Sequence, residues 1–308
     1  MKRKDELKNV AASVRDRLKT ITDASGQDFN TLLTRYAIER LLFRLSESKH
    51  RQRFVLKGAI LFALWQETPH RVTRDLDLLG FGDLSIEELQ KVFREICEHE
   101  VTNDGVVFDP ASIKAEPIRA QDLYVGVRVE IQGKIGNART PLQIDVGFGD
   151  ATAVDPVEVE FPSLLGMPTP KLWAYRMESA MAEKFEAAVN LGILNSRMKD
   201  YYDFWFLATH YAFAGQELAD SIRATFNRRG SFLPIETPIG FDDAFWLDPS
   251  RQAVWKAFWR KSVKKDPVLS LEEVVSHAAS FLLPPAFAAA KGERFSYIWQ
   301  AGGPWRSC

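Results

Sequence analysis

The chain has 308 residues, 46% hydrophobic and 26% charged, and its 40 basic and 41 acidic residues leave a formal net charge of −1. That length builds two modest domains or one large one, and the balanced charge gives no global attraction to nucleic acid or membrane. Only two cysteines occur, Cys97 and Cys308, far apart in sequence; this argues against a disulfide framework, and no Cys/His spacing has the form of a zinc site. No apolar stretch approaches the roughly eighteen residues of a spanning helix, and the charged start Met1-Lys-Arg-Lys lacks a signal-peptide core, so a cytoplasmic enzyme or binding protein is expected.

Residues 6–20 and 29–47 read as helices; in the second, Leu32, Leu33, Tyr36, Ala37, Leu41 and Leu42 recur at steps of three and four. A short strand over Phe54–Leu56 leads through the turn Lys57-Gly58-Ala59 into a helix ending at Trp65, and Asp75–Gly80 reads as the next strand. Ser85 followed by Glu88 has the form of a capping box opening a helix to Glu98. Then the period changes to two: residues 106–108, 113–117, 123–131 and 141–148 are short β-branched or alternating runs separated by Gly-containing turns, as in a sheet of hairpins. A proline-bearing connector over 159–170 leads into a mainly helical half, with helices at 177–191, 198–211, 216–227, 250–261 and 270–282 and an irregular loop at 229–243. The organisation expected is α+β, with the boundary near 165/166.

Asp75 and Asp77 stand out. In a strand alternate residues share a face, so both carboxylates project together while Leu76 and Leu78 point the other way. Two anions so close repel unless a cation lies between them, and Mg²⁺ typically takes one or two carboxylates plus substrate phosphates. Arg71 and Arg74 add local positive charge, and the small-residue turn Lys57-Gly58-Ala59 enters a helix whose first amides can receive an anion. The bland alternative is a solvated strand edge. Asp145, inside the apolar strand Leu142–Phe148, is either paired with Arg128 or Arg139 or is a third acid for a two-metal phosphoryl-transfer site.

Lys184 falls in the apolar stripe of its helix, with Ala180, Met181, Ala187, Ala188 and Leu191 at helical spacing. Such a lysine either pairs with an acid, Glu178 or Asp200 here, or reaches a nucleotide phosphate across the domain cleft. Asp200 and Asp203 share a helical face beside Arg197 and Lys199. Basic residues concentrate at Arg40, Arg44, Lys49, Arg51 and Arg53, at Arg223, Arg228 and Arg229, and at Arg260, Lys261, Lys264 and Lys265. Charge runs are commonly solvated faces; lining one groove with aromatics between, they would suit an RNA backbone.

Taken in order, Leu32-Leu-Thr-Arg-Tyr-Ala-Ile-Glu-Arg-Leu-Leu42, Phe54-Val-Leu-Lys-Gly-Ala59, Thr73-Arg-Asp-Leu-Asp-Leu-Leu-Gly80, Leu142-Gln-Ile-Asp-Val-Gly-Phe-Gly-Asp150, Ala182-Glu-Lys-Phe-Glu-Ala187 and Asn195-Ser-Arg-Met-Lys-Asp-Tyr-Tyr-Asp203 resemble the AbiEii/MenT-like nucleotidyltransferase toxins, over about Ser13 to Leu283. The resemblance implies a polymerase-β-like fold: a mixed sheet carrying the metal site, followed by a mainly helical domain. It places the family's small-residue turn on Gly58-Ala59, its metal pair on Asp75 and Asp77, its nucleotide-contacting lysine on Lys184 and its helical-domain aspartate on Asp200, with Asp145 a less secure third acid. The wider fold has Gly-Ser or Gly-Gly where this chain has Gly58-Ala59, so phosphate contact there falls to backbone amides.

What the resemblance implies chemically is Mg²⁺-dependent transfer of a nucleoside monophosphate from an NTP to an acceptor, foremost the 3′ end of tRNA or another RNA, by a toxin that a cognate antitoxin restrains. Two other functions are weighed against it: transfer to a protein side chain, and a noncatalytic RNA- or partner-binding module on the same fold.

Overall fold

The computed structural model describes residues 2–66, 75–119, 125–149, 155–263 and 268–307. It divides into two compact units, one formed by Met1–Gly149 with Pro156–Ala174 and the other by Asp150–Asp155 with Tyr175–Cys308.

The first unit opens with helices α1 (Lys2–Ser25) and α2 (Phe29–Glu47). Asp28 caps α2 by accepting from the Thr31 amide at 2.9 Å. Strand β1 (Phe54–Lys57) then runs into a 3₁₀ turn over Gly58–Leu61 and the short helix α3 (Phe62–Trp65). Next come β2 (Asp75–Gly80), α4 (Ile86–Glu98), the long strands β3 (Val106–Arg119), β4 (Val125–Ile135) and β5 (Ala138–Phe148), and then β6 (Val157–Glu160) and β7 (Lys171–Ala174). These seven strands form one sheet in the order β3-β4-β5-β2-β1-β7-β6. It is mixed: β2 pairs in parallel with β5, and β1 with β7, while the other neighbours are antiparallel.

Side-chain alternation divides the sheet into two chemically different faces. Leu56, Leu76, Leu78, Ile144, Val146, Val127 and Val129 are buried on one face. Helix α4 brings Leu89, Val92, Phe93 and Ile96 to the core at steps of three and four, and the Phe93 ring meets Phe54 of β1 at 5.7 Å. Helix α2 is anchored by the buried pair of Arg44 with Asp104 at 2.7 Å, and by Glu39 and Arg40, which pair with each other at 2.7 Å while Glu39 accepts from the Leu164 amide and Arg40 donates to the Pro168 carbonyl, each at 2.8 Å. The opposite face carries the charged residues of β1, β2, β4 and β5.

The runs at 106–108 and 113–117, separate in the sequence reading, are one strand, β3, whose register with β4 shifts between Asp109 and Lys114. Pro110 sits in this irregular stretch, where a missing amide hydrogen costs no ladder bond. The connector over 159–170 is flanked by β6 and β7, too short for alternation to reveal them.

The second unit contains α5 (Met177–Leu191), α6 (Met198–His210), the two-residue strand β8 (Phe213–Ala214), α7 (Gly215–Arg229), α8 (Asp243–Leu247), α9 (Pro249–Phe258), α10 (Leu271–Lys291), β9 (Tyr297–Trp299) and β10 (Trp305–Ser307). The three strands form a small sheet in the order β10-β9-β8. Phe185, Tyr201, Phe204, Phe226 and Phe241 are all fully buried here, and the Tyr201 hydroxyl donates to the Gly240 carbonyl at 2.9 Å. Helix α10 continues past the expected end at 282, through Pro284 and Pro285, to Lys291. Burial of Ala286, Ala288 and Ala289 beyond the prolines offsets the backbone bonds they cannot make.

Among the described residues no helix is long and apolar enough to cross a membrane.

Gly58 has φ +72°, and a Cβ built there would lie 2.1 Å from Asp77 Oδ2. Gly58→Ala is therefore expected to cost at least about 2 kcal/mol, from the left-handed backbone and the forced displacement of Asp77. An unchanged urea unfolding curve would show that the carboxylate is not held over the turn. In the second unit, burial lowers the pKa of His277, whose ring stands 5.7 Å from that of Trp299. A depressed imidazole pKa means the unfolded chain binds the proton more readily, so this contribution is complete above the ordinary imidazole range and is lost as pH falls through the folded value. Between about pH 7.5 and about pH 5.5 the urea midpoint should fall further for the wild type than for His277→Leu. Parallel declines would refute the assignment.

Candidate active site

The candidate site is built on the charged face of the first unit's sheet by strand register. Asp77 of β2 is paired with Lys57 of β1 on one side and with Asp145 of β5 on the other. Asp145 is in turn paired with Arg128 of β4, and Arg128 with Glu116 of β3. Directly paired residues project to the same face about 5 Å apart, so Glu116, Arg128, Asp145, Asp77 and Lys57 form one row across five strands. The adjoining row holds Lys114, Glu130, Gln143 and Asp75.

Charge order in this row decides its chemistry. Asp77 and Asp145 are register neighbours, and two carboxylates held about 5 Å apart would repel by roughly 3 kcal/mol at an effective dielectric near 20. Each is flanked on its other side by a cation, Lys57 beside Asp77 and Arg128 beside Asp145. Arg128 donates from Nε to Asp145 Oδ1 at 2.8 Å and from Nη2 to Oδ2 at 2.9 Å, a two-pronged pair. That hydrogen bonding, and after it the charges of Asp145, Asp75 and Glu116, raises the Arg128 pKa against the opposing effect of burial. Of the two readings open for Asp145, the ion pair with Arg128 is the one this structure displays, and register also sets the residue beside Asp77.

Asp75 is exposed and Asp77 half-buried, both on the charged face, while Lys57 is buried. The turn that follows Lys57 needs Gly58 at positive φ, because Asp77 Oδ2 occupies the space a side chain would take. The expected helix from Ala59 is a 3₁₀ turn over Gly58–Leu61 continued by α3. Arg71 and Arg74 lie outside the described residues.

Hard carboxylate oxygens at i and i+2, with room kept clear by a glycine, are the donor chemistry that suits a small divalent cation such as Mg²⁺. Among the described residues, no group of three or more His, Cys, Asp or Glu side chains stands ready to hold a metal ion. A metal here would therefore rest on the two strand carboxylates together with groups from its substrate. Thiol chemistry has no foothold in this unit, since burial pushes the Cys97 thiol up to about 12.

Lys184 and Asp200 belong to the second unit and form a cluster of their own. Lys184 Nζ donates to Asp200 Oδ1 at 2.5 Å and lies 2.9 Å from Asp203 Oδ2, while Arg197 Nε stands 2.8 Å from Asp200 Oδ2. Both aspartates are buried. Asp203 is as much a part of this cluster as Asp200; its position three residues on, on the same helical face, was the signal available in sequence. A second network there joins Arg229 to Glu186 at 2.6 Å, and Ser231 also donates to Glu186.

Within the basic run before β1, Arg40 and Arg44 are buried in the pairs described above, while Lys49, Arg51 and Arg53 pair with Glu95, Glu158 and Glu88. Lys264 and Lys265 lie outside the described residues.

Comparison with known proteins follows the same lines. Among solved structures the chain is similar to MenT4, a nucleotidyltransferase toxin of Mycobacterium tuberculosis H37Rv, with 17% identity, a TM-score of 0.51, and coverage of 90% of this chain and 93% of that one. It also matches a putative nucleotidyltransferase of Helicobacter pylori at 14% identity and a TM-score of 0.47, covering 87% of this chain and 100% of that one. A third match is JHP933 of Helicobacter pylori, at 15% identity and a TM-score of 0.46, covering 86% and 94% of the two chains. At 17% identity the likeness to MenT4 speaks to fold alone. A comparison with curated proteins finds no match. The family model described as nucleotidyl transferase AbiEii toxin, type IV TA system, matches residues 40–290. The chain thus belongs to the AbiEii nucleotidyl transferase toxins, NTP-dependent enzymes of toxin–antitoxin systems, and the family implies a cognate antitoxin.

Proposed function

We propose that this enzyme transfers a nucleoside monophosphate from an NTP to an RNA acceptor, foremost the 3′ end of tRNA, in a Mg²⁺-dependent reaction in the cytoplasm. The observation that carries the proposal is the placement of Asp75 and Asp77 on one sheet face against the Gly58 turn, in a member of a nucleotidyl transferase family. Asp75 and Asp77 would hold the metal. Bound there, it would neutralise charge on the triphosphate and on the leaving pyrophosphate.

The residues of the chain supply the rest. The backbone amides of the Lys57-Gly58-Ala59 turn bind phosphate oxygens, and Lys57, with Arg71 and Arg74, adds positive charge. Asp145 assists the incoming hydroxyl by accepting its proton or fixing its direction, once its carboxylate is available. Lys184 is the nucleotide-contacting lysine, oriented by Asp200 and Asp203, on the strength of the family motif Ala182–Ala187 and of its two carboxylate partners. The attacking oxygen forms a bond to the α-phosphorus as the bond to the bridging oxygen of pyrophosphate breaks.

Purified protein given Mg²⁺, each labelled NTP and total RNA is expected to label RNA, with label removed by nuclease and not by protease. Asp75→Ala and Asp77→Ala should each lower the rate by at least about a thousandfold, the several kcal/mol that a lost metal contributes. Label that only protease removes would shift the acceptor to protein, and equal rates in wild type and variants would refute the site. Lys184→Arg keeps a cation for Asp200 and Asp203, so the fold is retained while the KM for NTP rises by about tenfold. An unchanged KM would assign Lys184 to the buried ion pair alone.

A further inference from the structure

The proposed chemistry leaves Arg128 unexplained. Its pair with Asp145 is partly exposed, with side-chain accessibilities of 34% and 21%, and an ion pair so open to water is worth about 1 kcal/mol or less for stability. The arrangement is nevertheless well braced. Both Asp145 oxygens are taken, and Gln143, with its amide oxygen turned toward the guanidinium, accepts from Nε at 3.2 Å and Nη2 at 3.1 Å. Glu116 is the cross-strand partner of Arg128 on its far side. Register places Asp145 directly beside Asp77, yet among the described residues no three-carboxylate group is formed. Both oxygens of the neighbouring acid are instead engaged by the guanidinium on its other side.

We propose that Arg128 is a positioning residue that holds Asp145 in reserve, so that in the nucleotide-free protein Asp75 and Asp77 alone bind the divalent cation. The inference rests on the reading of Asp75 and Asp77 as the metal pair. Its physical content is a competition: a guanidinium and a divalent cation contend for the same carboxylate, and the guanidinium satisfies both oxygens at once. Release of Arg128 would add a third hard oxygen ligand and an uncompensated negative charge beside Asp77, and both raise affinity for a divalent ion.

The test is Mn²⁺ binding to the full-length protein without nucleotide, read as free Mn²⁺ by electron paramagnetic resonance. Arg128→Gln is expected to tighten the Mn²⁺ Kd by about tenfold or more. Arg128→Lys, which keeps the charge, should stay nearer the wild type. The double variant Arg128→Gln/Asp145→Asn has the same charge as the wild type and should bind within about threefold of it, because neither protein offers Asp145 as a ligand. Equal or weaker binding by a folded Arg128→Gln overturns the proposal. So does a loss of tenfold or more in the double variant, which would mean that Asp145 already ligates in the wild type. Should Arg128→Gln fail to fold, the double variant decides alone. A wild type whose Mn²⁺ binding is absent, or is unaffected by Asp75→Ala, overturns the metal pair itself, an outcome distinct from the two that concern Arg128.

Discussion

The approach of the Asp77 carboxylate to the backbone of Gly58 is the constraint from which the site takes its form. Antiparallel pairing of β1 with β2 sets Lys57 opposite Asp77, and the chain must then leave β1 without obstructing that carboxylate. Only a residue without Cβ, at positive φ, does so, because a Cβ would sit 2.1 Å from Asp77 Oδ2. The turn is thereby held against an acid. A glycine that a motif search registers as flexible is here a statement about space.

Two electrostatic solutions coexist in this protein. On the sheet, Lys57, Asp77, Asp145, Arg128 and Glu116 interleave acids and bases in a row whose Arg128–Asp145 member is partly open to water. Pairs of this kind contribute little to stability and exchange partners at low cost. In the helical unit, Lys184 lies between Asp200 and Asp203, and both carboxylates are buried. A buried charge stripped of its partner costs several kcal/mol, so this cluster is fixed in place. The difference in burial, more than in residue type, separates adjustable from permanent charges.

The long helices of both units and the apolar face of the sheet follow from periodicity that is visible along the chain, as with Leu89, Val92, Phe93 and Ile96 of α4. Alternation spoke only for hairpins, and the mixed sheet was implied by family resemblance alone. Less legible were the elements whose stability comes from partners elsewhere. Strands β6 and β7 are four residues each and exist because β7 adds to β1 and β6 closes that edge of the sheet, and β8 to β10 are two or three residues long. Helix α10 runs through Pro284 and Pro285 because burial of the residues beyond them outweighs a local signal to stop. Arg40 and Arg44, which read as part of a basic surface, are buried because each has an acidic or carbonyl partner that only folding supplies.

For the site the division is equally definite. By itself the sequence determined that Asp75 and Asp77 share a face, since strand alternation is a property of the backbone, and that Lys184, Asp200 and Asp203 lie on the helical stripes where they are found. The tertiary structure alone decided which neighbours those groups have. Asp145 stands beside Asp77, and Arg128 takes both oxygens of Asp145, because hydrogen-bond ladders align strands distant in sequence, and a shift of one residue in either ladder would turn the partner to the opposite face. Register between strands is a cooperative outcome of packing the whole sheet, and no local run of residues encodes it.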